Sequence, residues 1–397
     1  MRRMNDAIME KKEEILSKHG QRQLLFYAQI LDEIADYYTL KDPEIRLYTD
    51  RQKLWQDKLQ AENGRIMEGQ LKDMAFFLKK MARESYEIPP VLEKCKRQII
   101  KRLRENDLCV EEVYVMEYQN GRLEVGVYCH ASEGDYFSTQ ELVDYLSTLT
   151  HRKMVPDKDS VPYIHDEPVY VVCREELSYQ IFYNVARATK TGEFLSGDNY
   201  LVQEYPDGKV LFLLSDGMGS GEEACDDSTL VVELFDKLLE AGISVTEAAR
   251  QVNDVLCMRT RKLRTASLDI CQFNLCSGEG QVLKCGAAPT YLKSGEHVKK
   301  MEFQTLPLGI MQGEKGMEKK FFFEEGDMII LVTDGIMDVF DQARDQKGKD
   351  ELKSLIKRID SKKPKDVANQ ILGMAIRLDE GRIRDDMTVL VGVVIGK

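Results

Sequence analysis

Between Leu24 and Met81 the apolar residues recur at alternating intervals of four and three. Leu24, Ala28, Leu31, Ala35 and Tyr38 make one stripe, and Met67, Leu71, Met74, Leu78 and Met81 make another. That spacing marks one face of an α-helix. Pro43 breaks the first stripe and Asn63-Gly64 precedes the second. Residues 1–88 are therefore expected to form helices, packed on each other or on the next domain, or a stalk that self-associates. Pro89-Pro90 closes the region. A helix is expected from Val91 to Arg104, with Leu92, Cys95, Ile99 and Leu103 on one face. Strand-like runs at 113–115 and 123–127 flank Asn120-Gly121, a hairpin signal. Ser138-Thr139-Gln140-Glu141 has the form of a capping box opening a helix to about Leu149. The polar, proline-bearing stretch 151–166 reads as a loop, and 169–173 as a strand. Residues 91–175 thus predict a small α+β domain.

From Tyr179 on the periods shorten. Residues 180–188 read as a strand, and 201–204 with 210–214 as a hairpin about Asp207-Gly208. Leu230, Val231, Leu234 and Leu238 mark a helix that stops at Gly242. Val245, Ala248, Val252 and Leu256 mark a second, capped by Ser244 or Thr246. Strands are expected over 268–275, 281–287, 321–323 and 328–332, helices over about 349–360 and 365–379, and a last strand over 387–395. Hairpins that enclose helix pairs predict two antiparallel sheets packed face to face, with helices outside. The fold class expected is α+β.

Four acids stand beside these apolar strands. Val210–Leu214 runs into Ser215-Asp216-Gly217-Met218-Gly219-Ser220-Gly221, and Met328–Val332 into Thr333-Asp334-Gly335. Arg384-Asp385-Asp386-Met387-Thr388 opens the last apolar run, and Ser196-Gly197-Asp198-Asn199-Tyr200 lies upstream. The glycines after Asp216 let the backbone turn sharply and approach a ligand. One Asp-Gly at a strand end is ordinarily a turn. Four such acids read as a metal site assembled from distant parts of the chain. Carboxylate oxygens suit hard cations such as Mg²⁺ and Mn²⁺. Converging without a cation, they would repel one another and hold protons. Two ions about 3.5–4 Å apart can activate a water and clamp a phosphate for in-line displacement, with no side-chain nucleophile. The chain has no GxSxG, no CxxxxxR and no GxxxxGK[ST].

Charge and cysteine usage narrow the classes further. The net charge is -12. The first hundred residues carry 19 Lys and Arg against 17 Asp and Glu, and the remainder 37 against 51. An acidic C-terminal region argues against a nucleic-acid surface. The nine cysteines form no CxxC, which suits reduced thiols in a cytosolic setting better than a disulfide frame or a zinc site. His130, His151 and His165 are isolated. No apolar run reaches the roughly 18–20 residues of a spanning helix, and Met1-Arg2-Arg3 begins no signal peptide. The chain is expected to be soluble and cytoplasmic.

Together these segments resemble the metal-dependent PPM (PP2C-like) serine/threonine phosphatases, in their SpoIIE-type bacterial branch. The likeness also rests on Ala266-Ser267-Leu268-Asp269, Gly286-Ala287-Ala288-Pro289 and Leu306-Pro307-Leu308-Gly309. It implies an αββα sandwich over 178–397 that holds two Mn²⁺ or Mg²⁺. Asp216 would bridge both ions, Gly217 would add its carbonyl to one, and Asp334 and Asp385 would bind the other. Asp385 is preferred to Asp386 because the family usually has Asn at the second position. Asp198 would act mainly through water on the metal, so Asp198 and Asp216 are the catalytic candidates. Arg187 is the nearest candidate for a phosphate-binding arginine, and a purely structural role is its alternative. Residues 1–175 resemble, less specifically, the family's regulatory region, which follows membrane-spanning segments in the family. The resemblance therefore implies either the cytoplasmic portion of a membrane-anchored protein or a soluble relative. Helices within 222–259 match its switch, which is coupled to dimerisation, so a homodimer or higher assembly through the helical regions is expected. The implied substrate is a phosphorylated anti-anti-sigma factor whose dephosphorylation frees a sporulation sigma factor. The rival readings are a catalytically degenerate scaffold of the same fold and a two-metal nuclease or phosphodiesterase.

Overall fold

The computed structural model describes residues 90–396, apart from 107, 119, 220, 241–242, 259–264, 312, 314 and 343–349, together with scattered helical positions between 30 and 78. Of the two early stripes, Leu31, Ala35, Leu71, Met74 and Leu78 are described, and all lie in helix. The other stripe positions, and any stalk they build, lie outside the described residues. The chain divides into two compact units. One comprises 1–28 with 76–177, and the other 29–75 with 178–397. Among the described residues no helix is long and apolar enough to cross a membrane.

Over residues 90–175 the first unit carries α1 (Pro90–Arg104), β1 (Leu108–Glu117), β2 (Leu123–Ala131) and β3 (Phe137–Ser138). It continues with α2 (Thr139–Thr150), β4 (Met154–Pro156), β5 (Tyr163–Ile164) and β6 (Val169–Glu175). Strand order in the main sheet is β1-β2-β6-β4, and β3 pairs with β5. Alternation puts Val113, Val115, Val125, Val127, Val171 and Cys173 in one core with Ile99 and Leu103 of α1 and Leu142 and Leu146 of α2. The capping box forms at Ser138, whose hydroxyl accepts from Gln140 N while Glu141 Oε2 accepts from Ser138 N. Strands β4 and β5 fall inside the expected loop. At two or three residues they carry no period of their own, and pairing with β6 and β3 defines them.

The second unit carries β7 (Tyr179–Ala188), β8 (Asp198–Glu204), β9 (Lys209–Asp216), α3 (Glu222–Glu240), α4 (Val245–Met258), β10 (Leu268–Asn274) and β11 (Glu279–Cys285). After these come β12 (Thr290–Ser294), β13 (His297–Met301), β14 (Met317–Phe322), β15 (Met328–Val332), α5 (Asp334–Gln342), α6 (Glu351–Arg358), α7 (Pro364–Leu378) and β16 (Met387–Gly396). Two five-stranded sheets result, ordered β14-β11-β10-β9-β8 and β13-β12-β15-β16-β7. Helix α3 lies on β8 and β9 with α4 against it, while α7 covers β7 and β16 of the other sheet. This is the expected αββα sandwich. Aromatic side chains fill the space between the sheets. Phe212 meets Tyr183 and Phe273 edge-on, and Phe273 meets Phe321 and Phe323. Opposite Phe212 stands Gly392, where a Cβ would come within 2.3 Å of the ring. Three elements of this unit escaped the sequence reading. Strands β12 and β13 are short, and β13 is rich in lysine. Helix α5 opens on Asp334-Gly335, which reads as a turn.

Candidate metal centre

Strand pairing brings the acids together. Strand β8 begins at Asp198 and β9 ends at Asp216, and the two residues face each other directly across the ladder. On the other sheet β15 and β16 are paired, so Asp334 follows the end of one strand while Asp385 and Asp386 precede the start of its neighbour. Gly335 packs so tightly there that a Cβ would sit 2.1 Å from the Asp386 carbonyl oxygen. The two sheets are joined at this end through Asp198. Its Oδ2 accepts from Thr388 Oγ1 at 2.6 Å and from Thr333 Oγ1 at 3.0 Å. Thr333 is fixed in turn, because its Oγ1 accepts from Thr388 N at 2.9 Å.

Asp198 is fully buried, yet its Oδ1 has no hydrogen-bond partner. Burial pushes its carboxyl up to about 7, against the pull of the two threonine hydroxyls, and the charges of Asp386 and Asp334 push the same way. Asp216 is pushed further, to about 9. Burial leads, followed by the charges of Asp198 and Asp334, a hydrogen bond to Asp334 and the charge of Asp385. Asp385 is raised too, chiefly by burial, although Asp386 N donates to its Oδ1 at 3.0 Å. The four acids expected at the site therefore act on one another.

Asp386 has a different task. Its Oδ1 accepts from Lys190 N at 2.9 Å and its Oδ2 from Gly197 N at 2.6 Å. Both oxygens thus hold the loop that leads into Asp198. Arg187 lies on β7 opposite Thr388. Its guanidinium donates to the Asp198 carbonyl oxygen and lies 5.6 Å from the Tyr200 ring centroid. The loop after Asp216 is held by backbone. Gly217 N donates to Gly197 O at 3.2 Å, and Met218 N to Thr265 O at 2.9 Å. A Cβ on Gly197 would lie 3.4 Å from both Asp216 Oδ1 and the Gly217 carbonyl oxygen, so those two oxygens border the same backbone.

Among the described residues no three His, Cys, Asp or Glu side chains are set to hold an ion as they stand. The donor chemistry nevertheless fits a hard divalent cation. All the candidate donors are oxygens, one buried carboxylate oxygen is unpartnered, and two carboxylates share a hydrogen bond that needs a proton. A cation in the proton's place would relieve the repulsion that raises Asp216.

Residues 206–393, which include Asp216, Asp334 and Asp385, match the family described as Stage II sporulation protein E (SpoIIE). This stretch is a SpoIIE-family domain. Stage II sporulation protein E of Priestia megaterium is 30% identical over 336 residues, which cover 83% of this chain and 56% of that protein. Its counterpart in Bacillus subtilis (strain 168) is 27% identical over 295 residues, 74% of this chain and 35% of that protein. The chain thus spans about half, or less, of the curated relatives it matches. A solved structure of the PP2C phosphatase domain and a fragment of the regulatory domain of SpoIIE from Bacillus subtilis superposes with a TM-score of 0.64 at 24% identity. It covers 88% of this chain and 99% of the solved one, and it establishes the PP2C fold.

Within the SpoIIE-family domain, Gly217 tolerates no side chain. A Cβ there would lie 2.0 Å from the Ala224 carbonyl oxygen in the first turn of α3. Gly217→Ala is expected to push the loop off α3 and to lower metal-dependent turnover by roughly 100-fold or more, since about 1 Å of misplacement costs that much. The cost in stability should stay near 1–3 kcal/mol. Steady-state rates and thermal melts of the variant check both.

Proposed function

We propose that this chain is a divalent-metal-dependent protein serine/threonine phosphatase. Its substrate in this reading is a phosphorylated anti-anti-sigma factor, and removal of the phosphoryl group activates a sporulation sigma factor. The observation that carries the proposal is the convergence of Asp198, Asp216, Asp334 and Asp385 at one end of the sandwich, with Asp198 Oδ1 buried and unpartnered. Asp216, the Gly217 carbonyl, Asp334 and Asp385 would hold two Mn²⁺ or Mg²⁺ ions. Bound there, the ions supply a Lewis acid for the phosphate and an activated water.

The chain's own groups have separate tasks. Thr333 and Thr388 fix Asp198 through Oδ2, which leaves Oδ1 to accept a hydrogen bond from water and orient it. Asp216 and Asp334 carry the negative charge that retains the cations. Arg187 keeps donors beyond the one given to the Asp198 carbonyl, and it is exposed, so it would meet the substrate phosphate. The Asp386 latch keeps the loop before Asp198 in place.

The test is hydrolysis of p-nitrophenyl phosphate and of a phosphoserine protein, with Mn²⁺ titrated from zero and EDTA as control. Turnover of both should rise with Mn²⁺ and vanish in EDTA. A chain inert at millimolar Mn²⁺ would sink the proposal and leave the degenerate scaffold in its place.

A further inference from the structure

The proposed site is bordered by apolar side chains that the catalytic reading leaves unused. Phe194 is wholly exposed, and Leu195, Met218, Ile310 and Met311 are each between 43% and 62% exposed. A single exposed apolar side chain needs no explanation. These lie on three loops that hydrogen bonds stitch together around the acids. Glu193 Oε2 accepts from Gly221 N at 3.0 Å and so ties the Phe194 loop to the Met218 loop. Met218 N donates to Thr265 O at 2.9 Å, and Ala266 and Leu308 exchange backbone bonds of 2.9 and 3.3 Å. Buried Asn253 then holds the third loop, with its Nδ2 donating to Met311 O and its Oδ1 accepting from Gly309 N, each at 2.9 Å.

The Phe194 loop is held at both ends. Asp386 takes the amides of Lys190 and Gly197. Thr191 N donates to Ile383 O at 2.8 Å, and Ile383 N donates back to Thr191 Oγ1 at 3.2 Å. Glu193 N donates to Lys190 O at 3.0 Å. With its backbone fixed this way, the ring stays in water four residues before Asp198. A rigid aromatic side chain loses little entropy when it is covered, which is the character of an interface anchor.

We infer that Phe194, backed by Leu195 and Met218, determines specificity for protein substrates by docking an apolar side chain beside the phosphoserine. The inference rests on the phosphatase reading of the same site. In this reading a small phosphate ester needs no contact with Phe194, whereas a bound phosphoprotein would cover it. The ring takes no part in the chemistry.

The experiment compares the wild-type chain with Phe194→Ala, Phe194→Leu and Phe194→Asp, on p-nitrophenyl phosphate and on a phosphorylated anti-anti-sigma factor, with Mn²⁺ present. All three variants should hydrolyse the small ester within about twofold of wild type. On the phosphoprotein, Phe194→Ala should lower kcat/KM about tenfold, mainly through KM, as loss of an interface anchor does. Phe194→Asp should lower it further, and Phe194→Leu should keep most of it. Phosphoprotein kinetics unchanged in Phe194→Ala and Phe194→Asp would overturn the inference. So would equal losses on both substrates, since Phe194 would then be supporting the site itself. A wild-type chain active on the small ester alone would overturn the assigned substrate and the docking role together. A wild-type chain inactive on both would instead overturn the phosphatase reading.

Discussion

Asp216→Asn is expected to abolish metal-dependent turnover without weakening the fold. Asparagine keeps the shape of the side chain and can donate to Asp334. It cannot supply the charge that would hold a divalent cation. Turnover should fall by at least about a thousandfold, the scale of losing a group that acts directly on the reacting charge. Stability should move the other way. Asp216 is surrounded by Asp198, Asp334 and Asp385, all of which oppose its ionisation. Folding without metal forces this acid to take up a proton that the unfolded chain has released, a cost asparagine does not carry. In EDTA the variant should therefore melt at the wild-type temperature or a few degrees above it, on a scale where 1 kcal/mol is about 2–4 °C. Mn²⁺ should raise the melting temperature of the wild-type chain by binding the folded state, and it should do so far less in the variant. Rates and melts with and without Mn²⁺ separate a ligand from a structural acid. A variant that loses stability in EDTA and keeps its response to Mn²⁺ would place the ion elsewhere.

The second large effect concerns a buried ion pair beside the site. Lys284 and Asp269 face each other across β10 and β11, almost wholly shielded from solvent, with Nζ 2.6 Å from Oδ2. Thr290 Oγ1 donates to the same Oδ2 at 2.7 Å and lies 2.7 Å from Nζ. Lys284 also donates to Ala288 O, which fastens the loop between β11 and β12. Removing one partner of such a pair leaves an uncompensated charge, so Lys284→Met is expected to cost about 3–5 kcal/mol. Replacing Asp269 by leucine as well should restore most of the loss. The pH dependence has a definite sign. Burial raises the Asp269 carboxyl and Lys284 opposes the rise. Without the lysine the folded state binds a proton where the unfolded chain has released it, so stability falls as pH increases. Denaturant melts of the single variant should show a smaller deficit near pH 5 than near pH 8. A deficit independent of pH would mean that lost packing, rather than the stranded carboxylate, sets the cost.

How far the sequence could be read depended on where each interaction lies. Asp216 and Asp334 were visible because an apolar strand, an acid and a glycine stand next to one another in the chain. The helices 222–240 and 245–258 and the outer layers followed from periodicity that each segment carries alone. Roles that depend on a contact between distant segments were not visible. Thr333 and Thr388 sat inside quoted motifs, but nothing in their spacing shows that both hydroxyls end on Asp198. Asp386 was set aside for a family reason, and its grip on Lys190 and Gly197 depends on two sheets meeting. Lys284 was hidden by its type, since a lysine in a strand suggests a solvent-facing position. Helix α5 was missed because glycine at its second residue argues for a turn, which burial of Ile336, Val339 and Phe340 overrides.

The latch made by Asp386 also sets a timetable. Lys190 and Asp386 are 196 residues apart. A ribosome adding about 5–20 residues per second needs roughly 10–40 s to cover that distance. Until β16 emerges, β7 has no partner strand, the loop before Asp198 has nothing to hold it, and Thr388 is absent. A nascent chain can therefore build the early hairpins and α3, but it cannot present the four acids as a set. The four-acid site at this end of the sandwich is incomplete until β16 has emerged and closed the sheet.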